Sequence, residues 1–351
     1  MDARVVLVRT VDEYIKAIGG SWHKFSYFRG ESRDYEQLRL TASALRRADY
    51  SMEKACAALH RRVFARLSPA EARHFPAFCQ RHGLPTNLLP VAESALEALY
   101  FACEAGAEGE NGYVYCFVDD FMDITALAGE MGAKNPLDLY RFRDTSAEQI
   151  VQWEAFFVAY SLRNYGVYEK LCKDITQWIK EHRTQPVLLG CLALMDWLPE
   201  LRTDYEKQAR QLLTESKNSP LRMPKDYIEY ELETYSAEDI VFHLQWRWPK
   251  VLARLFLALL NQASAHAGEI VALLPRAVYR PLLRDDKEAY VYQWQYGEAR
   301  GVLEPDYVIE VPAERKPGML KALDGLGVNR GTIFGGFGDW AAHVVWEMVG
   351  E

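Results

Sequence analysis

The sequence predicts an α+β fold, a split mixed sheet with flanking helices, interrupted by a large helical insertion. Three observations predict it. Short apolar runs of strand length alternate with helical patterns over residues 1–118. Helical periodicity dominates residues 119–265. Strand-like runs then return in residues 266–351, so the sheet is assembled from pieces distant in sequence.

The elements follow in order. Residues 5–8 (VVLV) read as a short strand and VDEYIKAIG after it as a helix. Residues 25–28 (FSYF) read as an aromatic strand that Arg29 and Gly30 end. Cys56, Leu59, Val63, Phe64 and Leu67 recur at helical spacing over residues 52–67. Residues 94–104 are apolar on most sides, the pattern of a buried helix, and YVYCFV after Gly112 is a buried strand. Within the insertion, Ile150, Trp153 and Phe157, then Leu171, Ile175 and Trp178, then Val251, Leu255 and Leu259 mark helices. Strands are expected at 269–274, 289–295 and 307–311. Two closing helices carry Met319, Leu320 and Leu323, then Trp340, Val344, Val345 and Met348. The acidic, aromatic stretch 226–235 reads as a solvated helix face.

Composition bounds the class of molecule. In 351 residues, 49% hydrophobic and 26% charged content is that of a folded globular chain rather than a disordered or fibrous one. The apolar run at 251–260 is broken by Arg254 and is shorter than the ~20 residues of a membrane span. The N-terminus lacks the long apolar core of a signal peptide, so the expectation is a cytoplasmic protein with no membrane partner. Six cysteines without a C-x-x-C pair read as buried free thiols. A formal charge of −8 disfavours nucleic acid as a partner.

The specific catalytic signatures are absent from the sequence: no G-x-S-x-G, H-E-x-x-H, Walker loop or G-x-G-x-x-G after a strand. His74 and His82 are poorly spaced for a metal, and no metal is expected. The glycine-rich segment 331–338 has no nearby lysine and reads as a loop into the last helix. Two other stretches are more informative. In Tyr27-Phe28-Arg29-Gly30-Glu31, the arginine is either a bidentate anion clamp or a surface ion-pair residue, and composition alone favours the second. The glycine lets the backbone turn or a ligand approach. In residues 78–90, Gln80, His82, Thr86 and Asn87 run through a Gly-Leu-Pro bend into the buried helix, a pattern that lines small-molecule pockets.

Together these stretches resemble the FRG domain family. The Phe28-Arg29-Gly30 triplet, HGLPTNLLPVAESALEALYFAC at 82–103 and the strand GYVYCFV match its motifs, the second of which usually runs Q-H-x-G-L-P-T-R-L-L-D-W-T. Gln295-Tyr296-Gly297 resembles its Q-x-G turn, and residues 308–334 its closing strand and helix. The resemblance spans residues 1–118 and 266–351 and leaves 119–265 as an insertion. The chain departs from the pattern at Arg81, Asn87 and Pro90 to Ala92, and Glu298-Ala299 follows the Q-x-G turn.

The family's motif order is in turn similar to that of ADP-ribosyltransferases. That similarity implies an NAD-using effector that modifies a macromolecule, in a bacterial toxin or antiphage setting. It implies Arg29 as the clamp, Thr86 as the hydroxyl, and Gln295 or Glu298 as the partner of the ribose. Tyr27 or Tyr296 would stack on the nicotinamide, with Gly30, Gln80, His82 and Asn87 also lining the NAD site. The alternative is a catalytically degenerate module that docks a protein partner through the helical insertion. Convergence of Arg29, Thr86 and Gln295 or Glu298 on one cleft would separate the two.

Overall fold

A computed structural model describes residues 4–20, 24–104, 109–139, 147–182, 184, 186–187, 249–281, 289–336, 339, 341–344 and 348. The fold is α+β. Its strands in chain order are β1 (Arg4–Leu7), β2 (Phe25–Glu31), β3 (Leu88–Val91), β4 (Gly112–Val118) and β5 (Met122–Asp123). There follow β6 (Ala277–Tyr279), β7 (Ala289–Tyr292), β8 (Gln295–Tyr296), β9 (Ala299–Arg300) and β10 (Tyr307–Val311). The chain forms two compact units: residues 1–121, 276–293 and 302–351, and residues 122–275 with 294–301.

The first unit is built on a sheet of order β1-β10-β4-β2, in which β1 is parallel to β10 and the other pairs are antiparallel. Side chains alternate across a strand, so β2, β4 and β10 each serve two layers. Phe28, Val114, Cys116, Ile309 and Val311 join one buried cluster with Tyr14, Leu99, Met319 and Leu323. These last come from the helices Val11–Gly19, Ala95–Cys103 and Lys316–Gly325. Tyr27, Tyr115, Phe117 and Val308 join another cluster, against Leu89, Val91, Val278, Ala289 and Val291 of a second sheet in which β7 lies between β3 and β6. Each large apolar side chain buried here contributes about 1.5–3 kcal/mol. The sheets meet where Phe28 and Ala92 exchange backbone hydrogen bonds of 2.8 and 2.7 Å.

Glycine sets how closely the buried helix can lie. A Cβ on Gly30 would fall 1.9 Å from the carbonyl oxygen of Ala98, and one on Gly112 would fall 2.1 Å from that of Ala102. Helix Ala95–Cys103 therefore rests directly on two strand backbones.

The second unit is mostly helical, with Thr125–Met131, Ala147–Arg163, Tyr165–Glu181, Pro249–Gln262 and Ala267–Leu273, plus the hairpin of β8 and β9. Helix Pro249–Gln262 buries residues on every side, including Val251, Leu252, Leu255 and Phe256. Its one guanidinium, Arg254, is paired with Glu154, and its Ala253 carbonyl accepts from the Trp153 indole at 2.7 Å.

Several elements differ from the sequence expectations. Residues 269–274 are not a strand: Ala267–Leu273 is a helix, because Ile270, Val271 and Leu274 share one buried side at helical spacing. Strand β2 does not end at Arg29 but pairs with β4 through Glu31. Residues 88–91, read as part of a bend, form β3, whose proline is tolerated because β3 is an edge strand. The glycine-rich segment begins as a short helix, Arg330–Phe334, capped by Asn329 and ended by Gly335 at φ 68°. The stretch 226–235, and Trp340 and Val345 of the last expected helix, lie outside the described residues.

Candidate functional site

Strand β2 alternates, so Tyr27, Arg29 and Glu31 project to the opposite side from Phe28 and Gly30. One Arg29 amino group, Nη1, donates to the carbonyl of Pro90 at 3.1 Å. Its Nε stands 3.5 Å from a Glu31 carboxylate oxygen, and the two side chains are 27% and 0% exposed. Neither Glu31 oxygen accepts a hydrogen bond, and the hydroxyls of Tyr27 and Tyr115 have no hydrogen-bond partner among the described residues. Arg39 lies 6.0 Å from the Tyr115 ring centre and is paired with Asp34. Arg46 donates to the Thr41 carbonyl at 2.7 Å and lies over the Tyr35 ring.

Burial pushes the Glu31 carboxyl above the usual carboxylate range, opposed by the charges of Arg29, Arg46 and Arg39. Burial likewise lowers the Arg29 guanidinium, opposed by Glu31. Tyr115 is raised by burial and then by the Glu31 charge. A buried acid without hydrogen bonds costs free energy, and three guanidinium groups offset part of it. What remains is a partly accessible arginine, held from beneath, with donors to spare for an anion.

The bend at residues 80–87 is tied inward. Thr86 is fully buried; its hydroxyl donates to the Gln80 side-chain oxygen at 2.6 Å and accepts from the Leu88 amide at 3.2 Å. Asn87 donates to the Gln293 carbonyl at 3.2 Å. The Gln293 side chain accepts from the Ala42 amide at 2.6 Å and donates to the Leu40 carbonyl at 2.7 Å. Thus Gln80, Thr86 and Asn87 fasten the bend, and Gln293 fastens residues 40–42 to the end of β7. His82 is exposed, its ring against Phe78. At Gly30 the space on the side where a Cβ would stand is taken by helix Ala95–Cys103 rather than open to a ligand.

Gln295, Tyr296 and Glu298 belong to the second unit. The Gln295 amide donates to the carbonyl of Gly297 at 3.0 Å, and its backbone carbonyl accepts from Asn135 at 2.6 Å. Tyr296 is buried and Glu298 exposed. Tyr296, Gly297 and Glu298 line an open depression of about 400 Å³ with Ser264, Ala265 and Gly268, all of the second unit.

Glu31, Tyr115, Arg39, Arg46 and Gln293 were not singled out from the sequence. For Glu31 a signal existed: counting by two along the strand from Tyr27 places it beside Arg29. Arg39 and Arg46 sit in an irregular segment with no such period.

Residues 24–111 match the family model of the FRG domain. That span runs from the start of β2 to the residue before β4, and takes in Arg29, the 80–87 bend and helix Ala95–Cys103. It does not reach Gln295–Glu298. No curated protein and no solved structure matches the chain.

Proposed function

With an FRG domain in residues 24–111 as the premise, we propose that this unit binds an anionic nucleotide at Arg29 and that the chain is an ADP-ribosyltransferase-like, NAD-using effector. Its target would be a macromolecule, in the toxin or antiphage setting that the family resemblance implies. The observation in favour is the Arg29–Glu31 pair on one face of β2, with Glu31 fully covered and Arg29 still partly open.

The roles follow from that geometry. Arg29 keeps donors free after its bond to Pro90 and receives the pyrophosphate. Glu31 positions the guanidinium from below rather than touching the ligand. In the reaction, the bond between the ribose C1′ and the nicotinamide nitrogen breaks and its electron pair leaves with neutral nicotinamide. A nucleophile of the target bonds to C1′ and gives up its proton to solvent.

A second reading, binding without turnover, is favoured by the capture of Thr86 by Gln80 and Leu88, which uses the one proton its hydroxyl could donate to a ligand. Incubation with NAD and measurement of released nicotinamide separates the two. Release that disappears in Arg29→Met supports transfer. Binding with no release supports the second reading, and release unchanged in Arg29→Met removes Arg29 from the function.

A further inference from the structure

Within the second unit, His182, His266 and Glu269 bring one ligand atom each to within 4.8 Å of one another. His182 caps the C-terminal end of helix Tyr165–Glu181, and Glu269 lies in the first turn of helix Ala267–Leu273, three residues after His266. From the geometry of these three side chains we propose that they form a binding site for a divalent transition-metal ion, for which Zn²⁺ is the best match.

The hydrogen-bond pattern around the rings points to a cation. His182 Nδ1 lies 2.9 Å from the carbonyl oxygen of Trp178. A carbonyl only accepts, so Nδ1 carries the proton and a neutral ring has its lone pair on Nε2. That Nε2 stands 2.9 Å from a Glu269 carboxylate oxygen, itself an acceptor. Two lone pairs facing at this distance repel unless a positive charge lies between them. A metal ion supplies it, and so does a second proton on the ring, which is the competing account.

Three further features hold the ligand atoms in place. The Trp178 indole donates to the same Glu269 oxygen at 2.7 Å, so the carboxylate is oriented before any ion arrives. The Trp178 ring stacks on His182 at 4.7 Å and meets His266 edge-on at 5.8 Å, which fixes both imidazoles. His266 Nδ1 lies 3.5 Å from the other Glu269 oxygen, so the acid faces a nitrogen on each side. A carbonyl holding one imidazole nitrogen while the other faces the ion is the usual outer support of a histidine ligand. Two imidazoles and a carboxylate suit zinc, with bonds of about 2.0–2.2 Å and a fourth position left to water.

The test uses the full chain, stripped with a chelator and kept reduced, and titrated with ZnCl₂ by calorimetry. The parent should show one tight zinc site that is absent in Glu269→Gln and in His266→Ala. Trp178→Phe, which keeps the ring and deletes its donor, should weaken that site by about tenfold. Cobalt supplies an independent readout, because the parent complex should show a visible ligand-field band that Glu269→Gln lacks even if that variant is less stable. No tight zinc site in the parent, or the same isotherm and cobalt band in Glu269→Gln, would overturn the proposal and leave a protonated His182–Glu269 ion pair.

Discussion

The two faces of strand β2 differ in kind. On one, Phe28 and Gly30 meet the helices in a dry contact so close that no Cβ fits at Gly30. On the other, one residue away along the same strand, Arg29 is partly open, and among the described residues neither Glu31 nor the Tyr27 hydroxyl has a hydrogen-bond partner. The first face is optimised for packing. The second retains polar groups that packing alone would have removed, since an apolar replacement of a buried ion pair is often neutral or stabilising. The difference teaches where to look for function within the Phe-Arg-Gly motif: in its arginine, with the flanking residues serving the fold.

The contrast is sharpest in a substitution on the packed face. Gly30→Ala places a methyl against the Ala98 carbonyl, and a loss of about 3 kcal/mol is expected in urea denaturation. Gly318→Ala, in an open helical position where a Cβ meets nothing within 4 Å, should instead be neutral or slightly stabilising. Gln293→Leu comes next. It strands the Ala42 amide and the Leu40 carbonyl inside the unit and should cost about 2 kcal/mol by the same measurement.

On the polar face the sign reverses. Glu31 has a folded-state pKa raised by burial, so its unfavourable charging is absent below the unfolded carboxylate value and grows as pH rises through the raised one. Glu31→Gln should therefore be more stable than the parent at neutral pH, and the gap should close on acidification towards pH ~4. Thermal unfolding at a series of pH values reads this directly; a gap that widens in acid would mean that the arginines, rather than burial, govern Glu31. The smallest effect belongs to His82→Ala, which removes an exposed ring that touches Phe78 and should change stability by less than about 0.5 kcal/mol. A loss of nucleotide affinity in that variant would extend the site beyond β2.

How far the sequence disclosed this depends on what each signal was made of. Periodicity found the helices Ala147–Arg163, Tyr165–Glu181 and Pro249–Gln262, since long stretches average over local exceptions. It failed at 269–274, where six mostly apolar residues fit either a strand or a helix, and at β3, whose four residues follow the Gly-Leu-Pro bend and are too few to show a period. Motif resemblance located Arg29 and the 80–87 bend, but not what holds them. The partners of Thr86, Asn87 and Arg29 are Gln80, Gln293 and Pro90, and two of these three pairings span 61 residues or more. The proximity of Glu31 to Arg29 was written in the two-residue period of the strand, whereas the burial of its carboxylate depends on how the sheets pack.

The central claim is that Arg29 on the polar face of β2 receives an anionic nucleotide. Calorimetric titration of NAD into the full chain and into Arg29→Met tests it most directly. The parent should bind, and the variant, compared under conditions where circular dichroism shows it folded, should bind at least about tenfold more weakly. Equal affinity in the two proteins, or no heat of binding in the parent, would contradict it.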